Sequence, residues 1–289
     1  MRGWLIYDRF GAERNAWFIA ECIRAAESLG LVLELKVVEP SEWEAELSGW
    51  KVQPSERGVS VGQLPDFALV RTIAPALNAR LEAFGVRVFN RYAVARMAND
   101  KWESYRFAQG LGLPVMRTEL LSECLDGSPF GYPAVVKSRD GHGGAEVFLA
   151  KSADDWRALV ARLDAGRFIV QPLCDEAGKD LRVYVLGGEV LAGVFRVSES
   201  DFRSNYSLGG SVQRIPAPVE TVKMVEILHR GLGLDFVGVD FIRHGGKWVF
   251  NELEDSVGCR MLYQTSEIDA VCEYTKYVAN VMKNKQERE

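Results

Sequence analysis

Residues 248–260, WVFNELEDSVGCR, begin apolar and then set Glu252, Glu254 and Asp255 within four positions. A buried strand end tolerates that much negative charge only beside something positive. Side chains alternate along a strand, so Glu252 and Glu254 share a face. The preceding apolar stretch, FVGVDFI, holds a single acid, Asp240. With a two-residue turn at Gly245 and Gly246, Asp240 would lie opposite Asn251. A bulge, or a three-residue turn, would bring it beside Glu252, so one of these is expected. Three carboxylates on one strand end suit a hard divalent cation such as Mg²⁺, which takes oxygen ligands and commonly shares them with phosphates. The competing reading is a solvated hairpin end.

A metal and phosphates would draw cations to the same place. Lys137 closes the apolar strand PAVVK, where it either meets a phosphate or snorkels to water. Lys101 follows an Asn-Asp helix cap and is otherwise an ordinary first-turn lysine. Arg182 (in DLRVYV) and Arg196 (in AGVFRVS) sit in apolar strands, with a surface salt bridge as the alternative use of Arg196. Arg203, Ser204 and Asn205 share one loop with a glycine pair, and such a loop can offer backbone N–H groups to an anion. GHGG at 141–144 reads as a glycine-rich hairpin tip able to close over phosphates, and its His142 carries no assigned chemistry.

The whole chain limits the classes open to it. Among 289 residues, 35 are basic and 40 acidic, a net charge of −5, which argues against a general nucleic-acid binder. The five cysteines (Cys22, Cys124, Cys174, Cys259 and Cys272) form no CxxC pair, so reduced thiols in a cytoplasmic protein are expected. The opening MRGWLIYDRF has a very short apolar run before Asp8 and Arg9, unlike a signal peptide. No apolar run reaches the length of a membrane span.

The elements change texture along the chain. Strands at 3–8, 31–38, 66–72 and 85–90 alternate with helices at 14–29 and near 75–84, which predicts a small parallel α/β unit over 1–95. A helix over 99–112, capped by Asn99 or Asp100, opens the next part. Strands at 132–138, 168–173, 180–198 and 236–254 follow, the last two folding back at Gly-Gly turns, with helices at 152–163, 220–232 and 267–283. That is an α+β texture.

In their order, these pieces resemble the ATP-grasp superfamily over roughly 96–265, and are most similar to its RimK-like carboxylate–amine ligases. The resemblance implies an N-terminal α/β domain (1–95), a central subdomain with a glycine-rich lid hairpin (96–170) and a C-terminal subdomain with the metal site (171–289). It implies ATP between the two subdomains. Lys101 and Lys137 would contact its phosphates. Gln171, Pro172 and Leu173 would meet the adenine edge, and Asp180 would lie near the ribose. Arg182 would face phosphate or acyl phosphate, Arg196 the reacting carboxylate, and Arg203, Ser204 and Asn205 the nucleotide. Asp240, Glu252 and Glu254 fall on the metal-ligand positions, for two Mg²⁺ ions with Mn²⁺ as a substitute. The implied activity is amide formation through an acyl phosphate, joining an amino acid to a peptide or small metabolite. Substrates would be a small carboxylate and an amine, with no nucleic acid or membrane partner, and a homo-oligomer is compatible. A non-catalytic ATP-binding module and an ATP-dependent kinase are the alternatives. The family's usual Glu-x-Asn ending is here Glu252-Leu253-Glu254-Asp255, and neither Asp255 nor Arg260 matches its pattern.

Overall fold

A computed structural model describes residues 1–39, 64–199, 201–203 and 210–287, and the backbone of two short strands between the first two ranges. It divides into two compact units, Met1–Ala95 with Glu267–Glu289, and Arg96–Ser266. Among the described residues no helix is long and apolar enough to cross a membrane.

The first unit starts with the buried strand β1 (Arg2–Tyr7). Helix α2 (Ala16–Ser28) matches the one the sequence predicts over 14–29, and a short helix that the sequence does not predict, α1 (Arg9–Arg14), precedes it. Asp8 starts α1 by accepting the Gly11 N–H at 2.6 Å, and non-helical backbone at Asn15 separates it from α2. Next come β2 (Val32–Val37), the hairpin β3 (Gln53–Ser55) and β4 (Gly58–Ser60), β5 (Phe67–Val70), α3 (Pro75–Ala83), β6 (Arg87–Phe89) and α4 (Tyr92–Ala98). The sheet order is β2-β1-β5-β6, parallel throughout, as the strand–helix alternation predicts. Trp4, Ile6, Ala68, Val70, Leu77 and Val88 form part of its core.

The second unit is α+β. Helix α5 (Lys101–Gly110) is capped by Asp100, which accepts the Glu103 N–H. A first antiparallel sheet has the order β7-β10-β8-β9, built from β7 (Glu119–Leu120), β8 (Ala134–Ser138), β9 (Val147–Ala150) and β10 (Phe168–Pro172). Helix α6 (Ala153–Val160), capped by Ser152, buries Trp156 among Leu121, Val136 and Phe168. The second sheet joins β11 (Lys179–Leu186), β12 (Glu189–Val197), β13 (Ser211–Ile215), β14 (Phe236–His244) and β15 (Lys247–Glu254) in the order β13-β12-β11-β14-β15. Helices α7 (Val219–Leu232) and α8 (Arg260–Thr265) complete the unit.

The last hairpin carries the irregularity its acids demand. Gly245 and Gly246, at φ 61° and 71°, make a two-residue turn that pairs His244 with Lys247. Both central residues need positive φ, which glycine supplies without a steric penalty. From that turn a regular ladder would set Asp240 opposite Asn251. The register instead shifts after Phe241–Phe250, and Asp240 faces Glu252. The bulge expected from the acids is therefore present.

The last helix, α9 (Ala270–Gln286), belongs to the first unit, whereas the sequence assigns 267–289 to the C-terminal subdomain. Its buried stripe of Ala270, Val271, Tyr274, Val278 and Met282 accounts for the difference, because α9 lays it against α2. Replacing Tyr274, 1% exposed, by Ala should lower unfolding stability by about 3 kcal/mol. Denaturant titration measures this, and an unchanged midpoint would contradict the docking of α9.

Candidate active site

The second sheet of the Arg96–Ser266 unit gathers six of the predicted residues, Asp180, Arg182, Arg196, Asp240, Glu252 and Glu254, on one face. Opposite partners in an antiparallel pair share a face, and so do alternate residues of a strand. Asp180 lies opposite Arg196, Arg182 opposite Asp240, and Asp240 opposite Glu252. Glu254, two residues on, lies opposite Gly238. A Cβ on Gly238 would stand 3.4 Å from the Arg182 Cδ and Nε and only 2.8 Å from Val257. Glycine therefore makes room chiefly for Val257, while the Arg182 side chain lies alongside at ordinary contact distance.

These groups form one chain of ion pairs. Arg182 donates through Nε to Asp240 Oδ1 and through Nη2 to Asp240 Oδ2, both at 2.7 Å. Its Nη2 also reaches Glu254 Oε1 at 2.5 Å. Arg196 grips Asp180 through Nε and Nη2, and its Nη2 donates to Asp240 Oδ2 at 2.6 Å. Asp180, Arg182, Arg196 and Asp240 are all buried. Burial by itself would raise the Asp240 carboxyl, but Arg182 and Arg196 outweigh it and hold the group at about 2, below its ordinary 3.8.

Two lysines approach from other elements. Lys101, in the first turn of α5, pairs with Glu252 Oε1 at 3.0 Å and donates to the Gly141 carbonyl at 2.5 Å. Lys137, at the end of β8, donates to the Tyr105 hydroxyl at 2.5 Å and to Asn251 Oδ1 at 3.3 Å. The glycine-rich tip is tied at both ends. Arg139 donates to the cap carboxylate of Asp100 at 2.5 Å, and Arg203 donates to the Gly144 carbonyl at 2.7 Å while gripping Asp201.

The remaining predicted residues are placed less directly. Gln171 is buried on β10 and donates to Thr118 Oγ1 at 2.8 Å; Pro172 ends that strand, and the Leu173 N–H points to the Pro133 carbonyl at 3.4 Å. Ser204 and Asn205 lie outside the described residues. Tyr105 and Asn251 were not singled out in the sequence. The one available signal for Tyr105 was its spacing of four from Lys101, which puts the two on one helix face.

Asp240, Glu252 and Glu254 offer only hard oxygen donors, which fits Mg²⁺. Asp240 Oδ1 accepts from Arg182 Nε and keeps a second lone pair, and the Glu252 and Glu254 side chains are 22% and 32% exposed. Among the described residues no three such side chains are already drawn together as a cage. The acids share a face, but each is presently held by a cation.

Carboxylates and guanidiniums alternate on this sheet face, and two lysines and a glycine-rich hairpin belong to the same unit, an arrangement of the kind expected of an ATP-grasp fold. The profile of the RimK-like ATP-grasp domain matches residues 98–278, and the chain belongs to that family. It is 30% identical over 241 residues to N-acetylaspartylglutamate synthase A of Homo sapiens, covering 77% of this chain and 62% of that one. It is 33% identical over 194 residues to a probable alpha-L-glutamate ligase of Parasynechococcus marenigrum, covering 63% of this chain and 41% of the relative. This chain thus spans less than two thirds of either relative. Among solved structures, the ATP-grasp ligase PsnB complexed with minimal precursor superposes with a TM-score of 0.69 at 18% identity, over 97% of this chain and 98% of that one, a likeness of fold. PsnB has also been solved with Mg and ADP.

Lys137 yields a pH prediction. Burial lowers its ammonium most, Glu252 pulls it back and Lys101 repels it further, so it stands at about 7 against an ordinary 10.5. Between those values the unfolded chain binds more protons than the folded one, so this group makes stability rise with pH from about 7 to 10. Lys137→Met in the nucleotide-free protein should flatten that slope by up to about 1.4 kcal/mol per pH unit. Denaturant unfolding at several pH values in this window tests it, and an unchanged slope would mean Lys137 stays charged in the fold.

Proposed function

We propose that this chain is an ATP-dependent carboxylate–amine ligase that forms an amide or peptide bond through an acyl phosphate. The observation that carries the reading is the sheet face on which Asp180, Arg196, Asp240, Arg182 and Glu254 are linked in series, with Lys101 on Glu252. Membership of the RimK-like family supports it. The relatives named as glutamate ligase and N-acetylaspartylglutamate synthase favour an amino acid or short peptide among the substrates.

In the reaction, a carboxylate oxygen of the substrate attacks the γ-phosphorus of ATP and ADP leaves. The amine nitrogen then attacks the acyl carbon, inorganic phosphate leaves with the C–O bond electrons, and the nitrogen loses a proton. The carboxylate is already a nucleophile, so the protein's work is positioning and charge neutralisation. Lys101, Lys137 and Arg203 hold the phosphates in this reading, with Ser204 and Asn205 contributing from the same loop. Gln171 and the backbone of Pro172 and Leu173 border the base, and Asp180 serves on the ribose side. Arg182 and Arg196 each keep Nη1 outside the ion pairs given above, leaving a fixed guanidinium donor for a carboxylate or acyl phosphate. Asp240, Glu252 and Glu254 would hold Mg²⁺, two ions with Mn²⁺ as a substitute, whose charge would offset that of the phosphate oxygens.

A coupled ADP-release screen over pairs of amino acids and dipeptides tests the assignment. ADP should appear only when a carboxylate and an amine are both supplied. Release with a hydroxyl acceptor alone would favour a kinase, and tight ATP binding without turnover on any pair would favour a non-catalytic module. On the active pair, Glu252→Gln should cut turnover at least about a hundredfold with the melting temperature little changed. Wild-type turnover in that variant would remove Glu252 from the metal set.

A further inference from the structure

Tyr105 is buried on α5, and its ring meets Phe250 edge to face at a centroid distance of 6.1 Å. A phenol carries one proton to give and lone pairs to receive. Tyr105 gives its proton to the Asn251 carbonyl, 2.5 Å away, and receives one from Lys137 Nζ, also at 2.5 Å. When Lys137 carries its proton the relay runs one way, because an ammonium can only donate. The Lys137 ammonium also lies 4.9 Å from the centre of the Tyr105 ring. Among the described residues no carboxylate pairs with that ammonium. Its hydrogen-bond partners are the phenol and the Asn251 carboxamide at 3.3 Å.

Asn251 is no ordinary strand residue. It is the one the bulge leaves without a partner opposite on β14, between the Phe241–Phe250 and Asp240–Glu252 pairs. The hydroxyl that steadies Lys137 thus satisfies the carbonyl at the bulge that sets Asp240 beside Glu252. Three elements (α5, β8 and β15) meet at one oxygen.

We infer that the Tyr105 hydroxyl is a positioning group for phosphate transfer, holding the Lys137 ammonium in register with the carboxylates of the β14–β15 hairpin. This rests on the proposed role of Lys137 as a phosphate ligand. Tyr105 itself touches no reacting atom and acts through the lysine.

A double-mutant cycle on ADP binding in Mg²⁺, followed by calorimetry, tests it. Tyr105→Phe keeps the ring and its contact with Phe250 and removes only the hydroxyl. It should weaken ADP binding about tenfold in the otherwise native protein, the size of a hydrogen bond to a charged group. In a Lys137→Met background the same change should weaken binding much less, because the group it positions is gone. Equal weakening in both backgrounds would show that the hydroxyl serves the fold alone, and no weakening in the native background would show that it positions nothing; either result overturns the inference. If Lys137→Met alone binds ADP like the native protein, the phosphate role of Lys137 fails and the inference falls with it. That last outcome is read from the single lysine variant, so it is distinct from the other two.

Discussion

The carboxylate of Asp240 is the constraint to which the sheet face answers. It is 2% exposed, and the two guanidiniums that meet it are buried as well. Moving such ions out of water costs several kcal/mol each, and their attraction offsets this only when the geometry is good and every donor is matched. That requirement reaches far along the chain. Arg182 must lie opposite Asp240 on β11, and Arg196 must come across from β12 with Asp180 taking its other side. Arg182 must also continue past Gly238 to Glu254, at a position where a side chain would collide with Val257. A slip of one residue in any of these registers would turn a charge toward the opposite face of the sheet. Because the penalty for an unpaired buried ion is high, the network narrows the registers open to the sheet, whatever it adds to net stability.

In the proposed reaction the substrate carboxylate is itself the nucleophile, so this network would supply charge and position and no nucleophilic side chain is called for. Four carboxylates (Asp180, Asp240, Glu252 and Glu254) face four cations (Arg182, Arg196, Lys101 and Lys137) on and around one sheet face. Burial brings the Lys137 ammonium down to about 7, so of the four cations it loses its charge most readily near neutral pH. On the proposed reading, the phosphates of a nucleotide would restore that charge and a divalent cation would offset the acids.

Much of this was legible in the sequence because it obeys simple periods. The parallel strands of the first unit and the Gly-Gly hairpins of the second follow from apolar runs and turn glycines. The lone Asp240 in an apolar strand, together with Glu252 and Glu254 two apart, was enough to call for a three-residue turn or a bulge, and the structure has the bulge. What remained hidden depends on tertiary partners. Nothing local to 267–283 says which surface its apolar stripe will cover, and only the fold shows that α2 supplies it. The short helix α1 (Arg9–Arg14), ahead of the predicted one, depends on the Asp8 cap and shows no periodicity of its own. Little in the sequence marks Tyr105, since its partners arrive from β8 and β15. Asp180 was expected beside a ribose, and its tight pairing with Arg196 follows from a cross-strand register that no linear pattern displays.

The carboxylates share a face without being drawn into a cage, and electrostatics supplies the reason. Glu252 and Glu254 stand two residues apart on one face, about 7 Å along the strand. Closing them on Asp240 with nothing between would gather three like charges in a poorly solvated place, and such a group either takes up protons or disrupts the register. Instead the acids are neutralised from different elements, Glu252 by Lys101 of α5 and Glu254 by Arg182 of β11, which it shares with Asp240. On the proposed reading, a divalent ion would exchange one set of neutralising charges for another, and the cations so released would be free to meet phosphates.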